Sequence, residues 1–378
     1  MKPSQRKIIF LTTSLAFGGA EVQACSLATS LKLRGWVVKI ISMCTPTKVF
    51  EDKLDSDKIP LYSLDMTQGV CDFKALLHLV RVLKKERPTI LHSHMVHANF
   101  MARIARIFVH VPILISTAHN IYEGGYERNL WYRYTDFLCD LTTQVSKEGL
   151  KRYLEQKMVS TKKAIFVPNG VNTSIFIKNV AVRERERTIL NVNHCFVWLA
   201  VGRFDKAKDY PTMISAFACL CRNMKDRVLL IVGNGNMRME MEEFAERLGI
   251  NDKVRFLGIR KDTSNLMNAA DAYVMSSAWE GMPMVLLEAA SSSLPIVATD
   301  VGDNREIIKE GQTGFMVPPR KAEKLAEVMM IIEKLSVEDR LAMGQRARKF
   351  IEGNYSLERI VDKWEDLYQQ LILKRHLP

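Results

Sequence analysis

No run in this chain approaches the roughly 18–20 consecutive apolar, uncharged residues that a bilayer span requires. The first apolar stretch, Ile8–Leu11, is too short for the hydrophobic region of a secretory signal and flows into a glycine turn; after Met1–Lys7 it reads as a buried strand. Cysteine is sparse, with seven residues and no CxxC pair, so neither a disulfide framework nor a common zinc motif is expected. Cys219 and Cys221 read as helix-packing thiols, and the compartment is expected to be reducing and cytoplasmic. Low-complexity tracts and short-period repeats are also missing.

A reader motif for nucleic acid is absent too, despite a net charge of +12. The excess is one-sided. Residues 1–178 hold 25 Lys/Arg against 14 Asp/Glu, whereas residues 179–378 hold 29 against 28. A basic half suits anionic lipid headgroups or an acceptor bearing a diphosphate, and no nucleic-acid partner is expected. Solvated charge without a partner is the plainer alternative for any single lysine. Two cationic amphipathic segments fit a membrane surface: Lys74–Arg87, with Leu76, Leu77, Val80 and Leu83 against Arg81, Lys84 and Lys85, and Ala98–Phe108, with Met101, Ile104 and Phe108 against Arg103 and Arg106.

What is present from end to end is alternation of short apolar runs with amphipathic segments, the pattern of parallel βαβ units. Strands are expected at Ile8–Leu11, Val37–Ser42, Ile90–Ser93, Ile113–Thr117, Leu141–Val145 and Ala164–Val167, with helices at Glu21–Arg34, Phe73–Glu86, Ala98–Phe108 and Lys147–Glu155. The pattern restarts with strands at Phe196–Val201, Val228–Val232, Val254–Leu257, Ala272–Met275, Ile296–Ala298 and Gly314–Val317. The fold class is therefore α/β, with two doubly wound, Rossmann-like halves facing a central crevice. The boundaries are a first domain at 1–178, a charged linker at 179–195, a second domain at 196–355 and a final segment at 356–378.

The richest stretch is Ser277-Ala-Trp-Glu280-Gly281-Met-Pro283-Met284-Val285-Leu-Leu-Glu288. It carries one carboxylate in a loop and a second inside an apolar helix start, where an unpaired acid is costly. Free amides at a helix start favour an anion, and fixed carboxylates accept from hydroxyls. Together they suit a sugar nucleotide; the alternative is a capping Glu followed by a satisfied core Glu. Glu280 and Glu288 at this spacing resemble the paired glutamates of retaining glycosyltransferases of family 4, which have the GT-B fold. The resemblance also takes in Gly18-Gly19-Ala20-Glu21, His92-Ser-His94, His119, Pro168-Asn169-Gly170-Val171, Gly202-Arg203 to Lys208, Gly233-Asn234-Gly235 and Gly302 to Glu306, in order along the chain.

The resemblance implies transfer of a sugar from a nucleotide donor with retention of configuration and without metal or cofactor. UDP is expected over GDP as the nucleotide, and the acceptor is expected to be a glycan, carried on a polyprenyl diphosphate, in cell-surface polysaccharide synthesis at the inner face of the cytoplasmic membrane. It gives Glu280 the donor-sugar hydroxyls, with the amides of Gly281, Met284 and Val285 near sugar and phosphate. Glu288 takes the ribose, and Arg203 and Lys208 the departing diphosphate. Arg203 ends a strand, so its alternative as a mere surface charge is the weaker reading; Lys206 stands close enough to substitute for Lys208. The matching His119 would face the donor sugar, and with Glu280, Arg203 and Lys208 makes up the expected catalytic set. Gly18 and Gly19 would approach the diphosphate or the acceptor, Gly233 and Asn234 the nucleotide, and Arg260 the base; tight turns are the alternative for the glycines. In the family the last helix, here 356–378, crosses back onto the first domain. Gly124–Arg128 would be a mobile loop on the acceptor side.

Two features are tested for metal. His92 and His94 share a strand face, with His97 following, but no Cys or Asp completes a set, so they read as crevice-lining or structural. Asp55-Ser56-Asp57 lies in a charged segment before Pro60 and not after an apolar strand, so it reads as a solvated loop. Pro283 departs from the family, where glycine is frequent, and has no N–H for a phosphate; Asn172 stands where Asp is frequent. The competing functions are a GT-B sugar-nucleotide epimerase or hydrolase, and a non-catalytic basic protein binding membrane or nucleic acid.

Overall fold

Ile8–Leu11, Ile113–Ile115 and Val228–Ile231 are unbroken apolar runs, the signature of strands covered on both faces, and every one of these residues is buried. The computed structural model describes residues 6–16, 18–67, 72–222 and 226–375, so Met1–Gln5, ahead of the first strand, lie outside it. The chain divides into two units, one ending at Gly170 and resuming at Leu357, the other spanning Val171–Ser356.

In the first unit the strands are β1 (Lys7–Thr12), β2 (Val37–Cys44), β3 (Leu61–Met66), β4 (Ile90–His94), β5 (Ile113–Ala118), β6 (Leu141–Gln144) and β7 (Ala164–Phe166). They form a parallel sheet in the order β3-β2-β1-β4-β5-β6-β7. The second unit contributes β8 (Phe196–Val201), β9 (Arg227–Val232), β10 (Val254–Gly258), β11 (Ala272–Met275), β12 (Ile296–Thr299) and β13 (Gly314–Val317), parallel in the order β10-β9-β8-β11-β12-β13. Each order reverses once, between β1 and β4 and between β8 and β11. Such switch points open a cleft at the carboxyl ends of the strands, where open α/β sheets bind ligands.

The helix Leu357–Lys374 is part of the first unit. Its Ile360, Val361, Trp364 and Tyr368 are buried in the core with Ile8, Phe10, Leu27 and Ile113. Polar contacts fix its register: Glu365 accepts from Trp36 Nε1 at 2.9 Å and from Arg34 at 3.0 Å, and Tyr368 meets His92 Nδ1 at 2.7 Å. A Cβ on Gly170 would stand 2.9 Å from Ile360, so the Asn169-Gly170 turn is tight because this helix passes over it.

The segment 179–195 is not a linker. It forms the helix Val180–Ile189 within the second unit. Arg183 and Arg187 stand one helical turn apart on the same face and converge on Asp271, at 2.5 and 3.1 Å, while donating to the carbonyls of residues 268–270. The run of charges is an internal clamp. Asp55-Ser56-Asp57 is likewise not a loop: it closes the helix Lys48–Ser56, which buries Phe50 and Leu54, and Asp57 accepts from Thr29 and Lys53.

No helix among the described residues is long and apolar enough to cross a membrane. The two amphipathic segments differ in what they leave free. Phe73–Glu86 buries Leu79, Val80 and Leu83 and exposes Arg81, Lys84 and Lys85. On Val96–Phe108, however, Arg103 is fully buried and donates to Tyr132 O, Thr135 and Thr142, while Arg106 pairs with Asp140 at 2.7 Å and donates to three carbonyls. That helix has no free cationic face.

Trp364→Ala should lower unfolding stability by about 3–5 kcal/mol, since the ring is buried and packs 4.6 Å from His92 and 5.5 Å from Tyr368. Denaturant titration checks this, and a change below 1 kcal/mol would remove the last helix from the core.

Candidate functional site

Loops from four neighbouring strands meet at the carboxyl edge of the second sheet. Gly233, after β9, has φ +141°, and a Cβ there would stand 1.9 Å from the carbonyl oxygen of Gly202, after β8. Gly235 would collide with the Phe204 backbone at 2.5 Å, and Asn234 O accepts from Phe204 N at 3.0 Å. The glycines of this turn are thus required by close backbone packing, which holds the loop carrying Arg203. Tyr210 adds a hydrogen bond from its hydroxyl to Gly202 O and stacks on Phe204.

The loop after β11 is tied in the same way. Ala278 N donates to Ala207 O at 2.7 Å, Thr299 Oγ1 to Ser277 O at 2.6 Å, and Asp303 N to Gly281 O at 3.0 Å. Gly302 (φ +53°) lies against the Glu280 carbonyl so closely that a Cβ would approach to 2.1 Å. These restraints aim Glu280. Its Oε1 is 2.5 Å from Lys208 Nζ and accepts from Ser277 Oγ at 2.7 Å. Lys208 is therefore the lysine that meets the glutamate. Arg203 is open, three-quarters exposed, and among the described residues its one ion-pair contact is to Asp205 at 3.5 Å.

The helix Met284–Ser291 begins after Pro283, which supplies no side-chain cap. The first amides of a helix have no partner within it, so those of Met284 and Val285 face the same edge. Glu288 sits one turn further in, 9% exposed, and its carboxylate has no side-chain partner among the described residues. Burial pushes its pKa up to about 7. An acceptor-only group with nothing to accept from is expensive unless a ligand supplies donors. Arg260, beyond β10, is occupied by Asp262, which receives Nε at 2.7 Å and Nη2 at 2.6 Å.

Gly18, Gly19 and His119 belong to the first unit, at the carboxyl ends of β1 and β5. The helix Gly19–Leu33 opens there, but Glu21 folds back over Gly18, where a Cβ would meet its Oε2 at 2.4 Å, and Ser14 Oγ donates to Glu21 at 2.9 Å. A carboxylate of the chain already stands at this helix start. His119 Nε2 is 3.0 Å from His94 Nδ1, and burial lowers its pKa to about 4, so the ring is neutral at pH 7. His92 spends both ring nitrogens, on Tyr368 and on Thr117. Among the described residues no cluster of three His, Cys, Asp or Glu side chains is arranged to hold a metal.

Sequence reasoning assigned no role to Ser277, whose hydroxyl helps aim Glu280, or to the β12 loop that holds Glu280 from behind. Ser277 had a legible signal, lying three residues before Glu280. The Gly302 contact had none beyond the glycine itself.

The chain is similar to known proteins over nearly its whole length. Residues 17–175 match the family described as Glycosyltransferase Family 4, and residues 182–350 match Glycosyl transferases group 1. The chain is 25% identical over 389 aligned residues, covering 99% of it and all of the relative, to the UDP-Gal:α-D-GlcNAc-diphosphoundecaprenol α-1,3-galactosyltransferase of Escherichia coli. It is 30% identical over 318 residues to the Bacillus subtilis protein EpsD, covering 77% of this chain and 80% of that one. The Anabaena protein HepE, solved with UDP and glucose, superposes with a TM-score of 0.85 at 20% identity, covering 96% of this chain and 99% of that one. These structural neighbours share the GT-B fold.

An acid whose folded pKa lies above its unfolded one holds its proton better when folded. Its contribution is present in full below about 4.5 and is lost as pH rises through about 7. Glu288→Gln removes that slope, so between pH 5 and pH 8 the variant should gain up to about 3 kcal/mol relative to wild type. Glu123, also raised to about 7 by burial, is common to both proteins and cancels. Denaturation curves at the two pH values check it; parallel pH dependence would show that Glu288 is solvated.

Proposed function

The chain belongs to glycosyltransferase family 4, and from this premise we propose that it transfers a sugar from a UDP-sugar to a lipid-linked glycan acceptor with retention of configuration, in cell-surface polysaccharide synthesis. The observation that carries the reading is the buried carboxylate of Glu288, without a side-chain partner among the described residues, in the helix that follows the loop of the Lys208–Glu280 pair. Vicinal ribose hydroxyls are the donors that Glu288 lacks. The UDP found in HepE, and the UDP-Gal donor and diphosphoundecaprenol-linked acceptor named for the E. coli relative, support the choice of nucleotide and acceptor.

In this reading the donor diphosphate draws Lys208 away from Glu280. The freed carboxylate, still held by Ser277, then accepts from sugar hydroxyls. Lys208 and the open Arg203 stabilise the charge that grows on the diphosphate as the glycosidic bond breaks, the role that fixed cations perform best in a preorganised site. Neutral His119 offers a hydrogen bond and not a charge. Gly281, Met284 and Val285 supply backbone amides, Pro283 leaving none at its own position. No dedicated protein base is assigned, because the departing diphosphate takes the acceptor proton on the face that is attacked. No metal or cofactor is required. The basic first half holds the enzyme at an anionic membrane surface, where a lipid-linked acceptor resides.

A panel of UDP-sugars, incubated with and without a polyprenyl-diphosphate-linked glycan, should show UDP release and product only when both substrates are present. Arg203→Ala and Glu288→Ala should each lose about 100- to 1000-fold in turnover while remaining folded; turnover within a few-fold of wild type would remove either residue from the site. Activity should persist in saturating EDTA, and a loss reversed by Mn²⁺ or Mg²⁺ would overturn the metal-free mechanism.

A further inference from the structure

The segment from Tyr122 to Phe137 carries five of the eight aromatic side chains that stand exposed among the described residues; the second unit carries one, Trp279. The reason is local. The helix Tyr126–Thr135 turns Tyr132 and Thr135 inward, where Tyr132 receives Asn99 Nδ2 at 3.0 Å and its carbonyl receives Arg103 at 3.1 Å. Helical spacing then forces Tyr126, Arg133 and Tyr134 to the opposite side. Trp131, Tyr134 and Phe137 are 54%, 68% and 75% exposed, beside Ile107 and Phe108 at 62% and 54%. Burying such rings is favourable, and leaving them in water without a partner is not.

Along the same helix lies a cavity of about 640 Å³, lined by Tyr122, Tyr126, Asn129, Arg133, Arg152 and Gln156 among others, with no carboxylate in its wall. Arg152 lies 4.3 Å over the Tyr122 ring. Arg133 is exposed and has no ion-pair partner among the described residues. Two guanidinium groups facing a space without an acid call for an anion with oxygens to share, and a phosphate is the fit. A free phosphate gives the neighbouring rings nothing to touch. A phosphate at a bilayer surface does, since Trp and Tyr sit at headgroup depth with their polar ends in water.

We infer that the cavity beside helix Tyr126–Thr135 binds the headgroup phosphate of an anionic phospholipid through Arg133 and Arg152, while Trp131, Tyr134 and Phe137 enter the bilayer surface. The inference rests on the membrane reading above and relocates its contact. The helix Val96–Phe108 contributes only its apolar end, because Arg103 and Arg106 are spent internally.

The full chain, sedimented with vesicles of phosphatidylglycerol and phosphatidylcholine, should bind, and should not bind vesicles of phosphatidylcholine alone. The double variant R133Q/R152Q should bind the anionic vesicles about thirtyfold more weakly, at about fivefold per basic residue. The variant W131A/Y134A, altered only at exposed positions, should also bind more weakly, and both should transfer sugar to a soluble acceptor as wild type does. Wild-type affinity in R133Q/R152Q would overturn this site while leaving docking elsewhere intact. Failure of wild type to bind any vesicle would overturn both readings. Wild-type affinity in W131A/Y134A would overturn the lipid source in favour of a free phosphate ligand.

Discussion

Backbone segments that approach too closely to admit a side chain hold the second unit's site together. Gly233 against Gly202, Gly235 against Phe204 and Gly302 against Glu280 join two pairs of strand-end loops, those after β8 and β9 and those after β11 and β12. None of these contacts touches a ligand by itself. Their effect is to remove freedom: once the loops are locked, the directions of Arg203, Lys208 and Glu280 follow from the ends of β8 and β11. A methyl group at any of the three would push a loop away, and the side chains would move with it. Preorganisation of this kind lets a few charged groups act on a ligand without reorganising at the moment of reaction.

Within that frame two glutamates are set in opposite conditions. Glu280 is at the mouth, answered by an ammonium at 2.5 Å and a hydroxyl at 2.7 Å. Glu288 is inside, with no side-chain partner among the described residues, and burial pushes its pKa up to about 7. The first is satisfied within the chain, whereas the second lacks the donors that a buried carboxylate needs. One site therefore contains both a satisfied carboxylate and an unsatisfied one. The first unit shows a further variation, in which Glu21 closes a helix start over Gly18.

Most of the sheet framework was legible because strands buried on both faces are written as unbroken apolar runs, as in β1, β5 and β9. β3 was not, since Leu-Tyr-Ser-Leu-Asp-Met carries half-exposed polar positions at a sheet edge. The helix Lys48–Ser56 was hidden by charge, its two buried residues too few to set a period. Tyr126–Thr135 was hidden for the opposite reason: three of its four aromatic residues, Tyr126, Trp131 and Tyr134, face outward, against the usual rule. The arginines misled most. Arg183, Arg187, Arg103 and Arg106 read as solvent or membrane charges, yet each is engaged by carbonyls, hydroxyls or an aspartate inside its unit. A guanidinium can be a structural bolt, and composition cannot separate that use from a surface one. In the site, Glu280, Lys208 and Glu288 were legible as oddities of place, whereas the Ser277 and Gly302 supports depend on contacts distant in sequence.

The first unit is discontinuous. It is left at Gly170 and rejoined at Leu357, and the second unit's two ends lie side by side, Val171 N donating to Tyr355 O at 2.9 Å. A chain emerging from the ribosome completes domains in order only when each is contiguous. Here the core around Trp36 and His92 waits for Trp364 and Tyr368, so the whole second unit is synthesised, and free to fold, before the first can close. The second unit is thus the earlier to mature. The first unit stays open along one side of its sheet until the helix Leu357–Lys374 is made, and until then its apolar surface is most in need of protection.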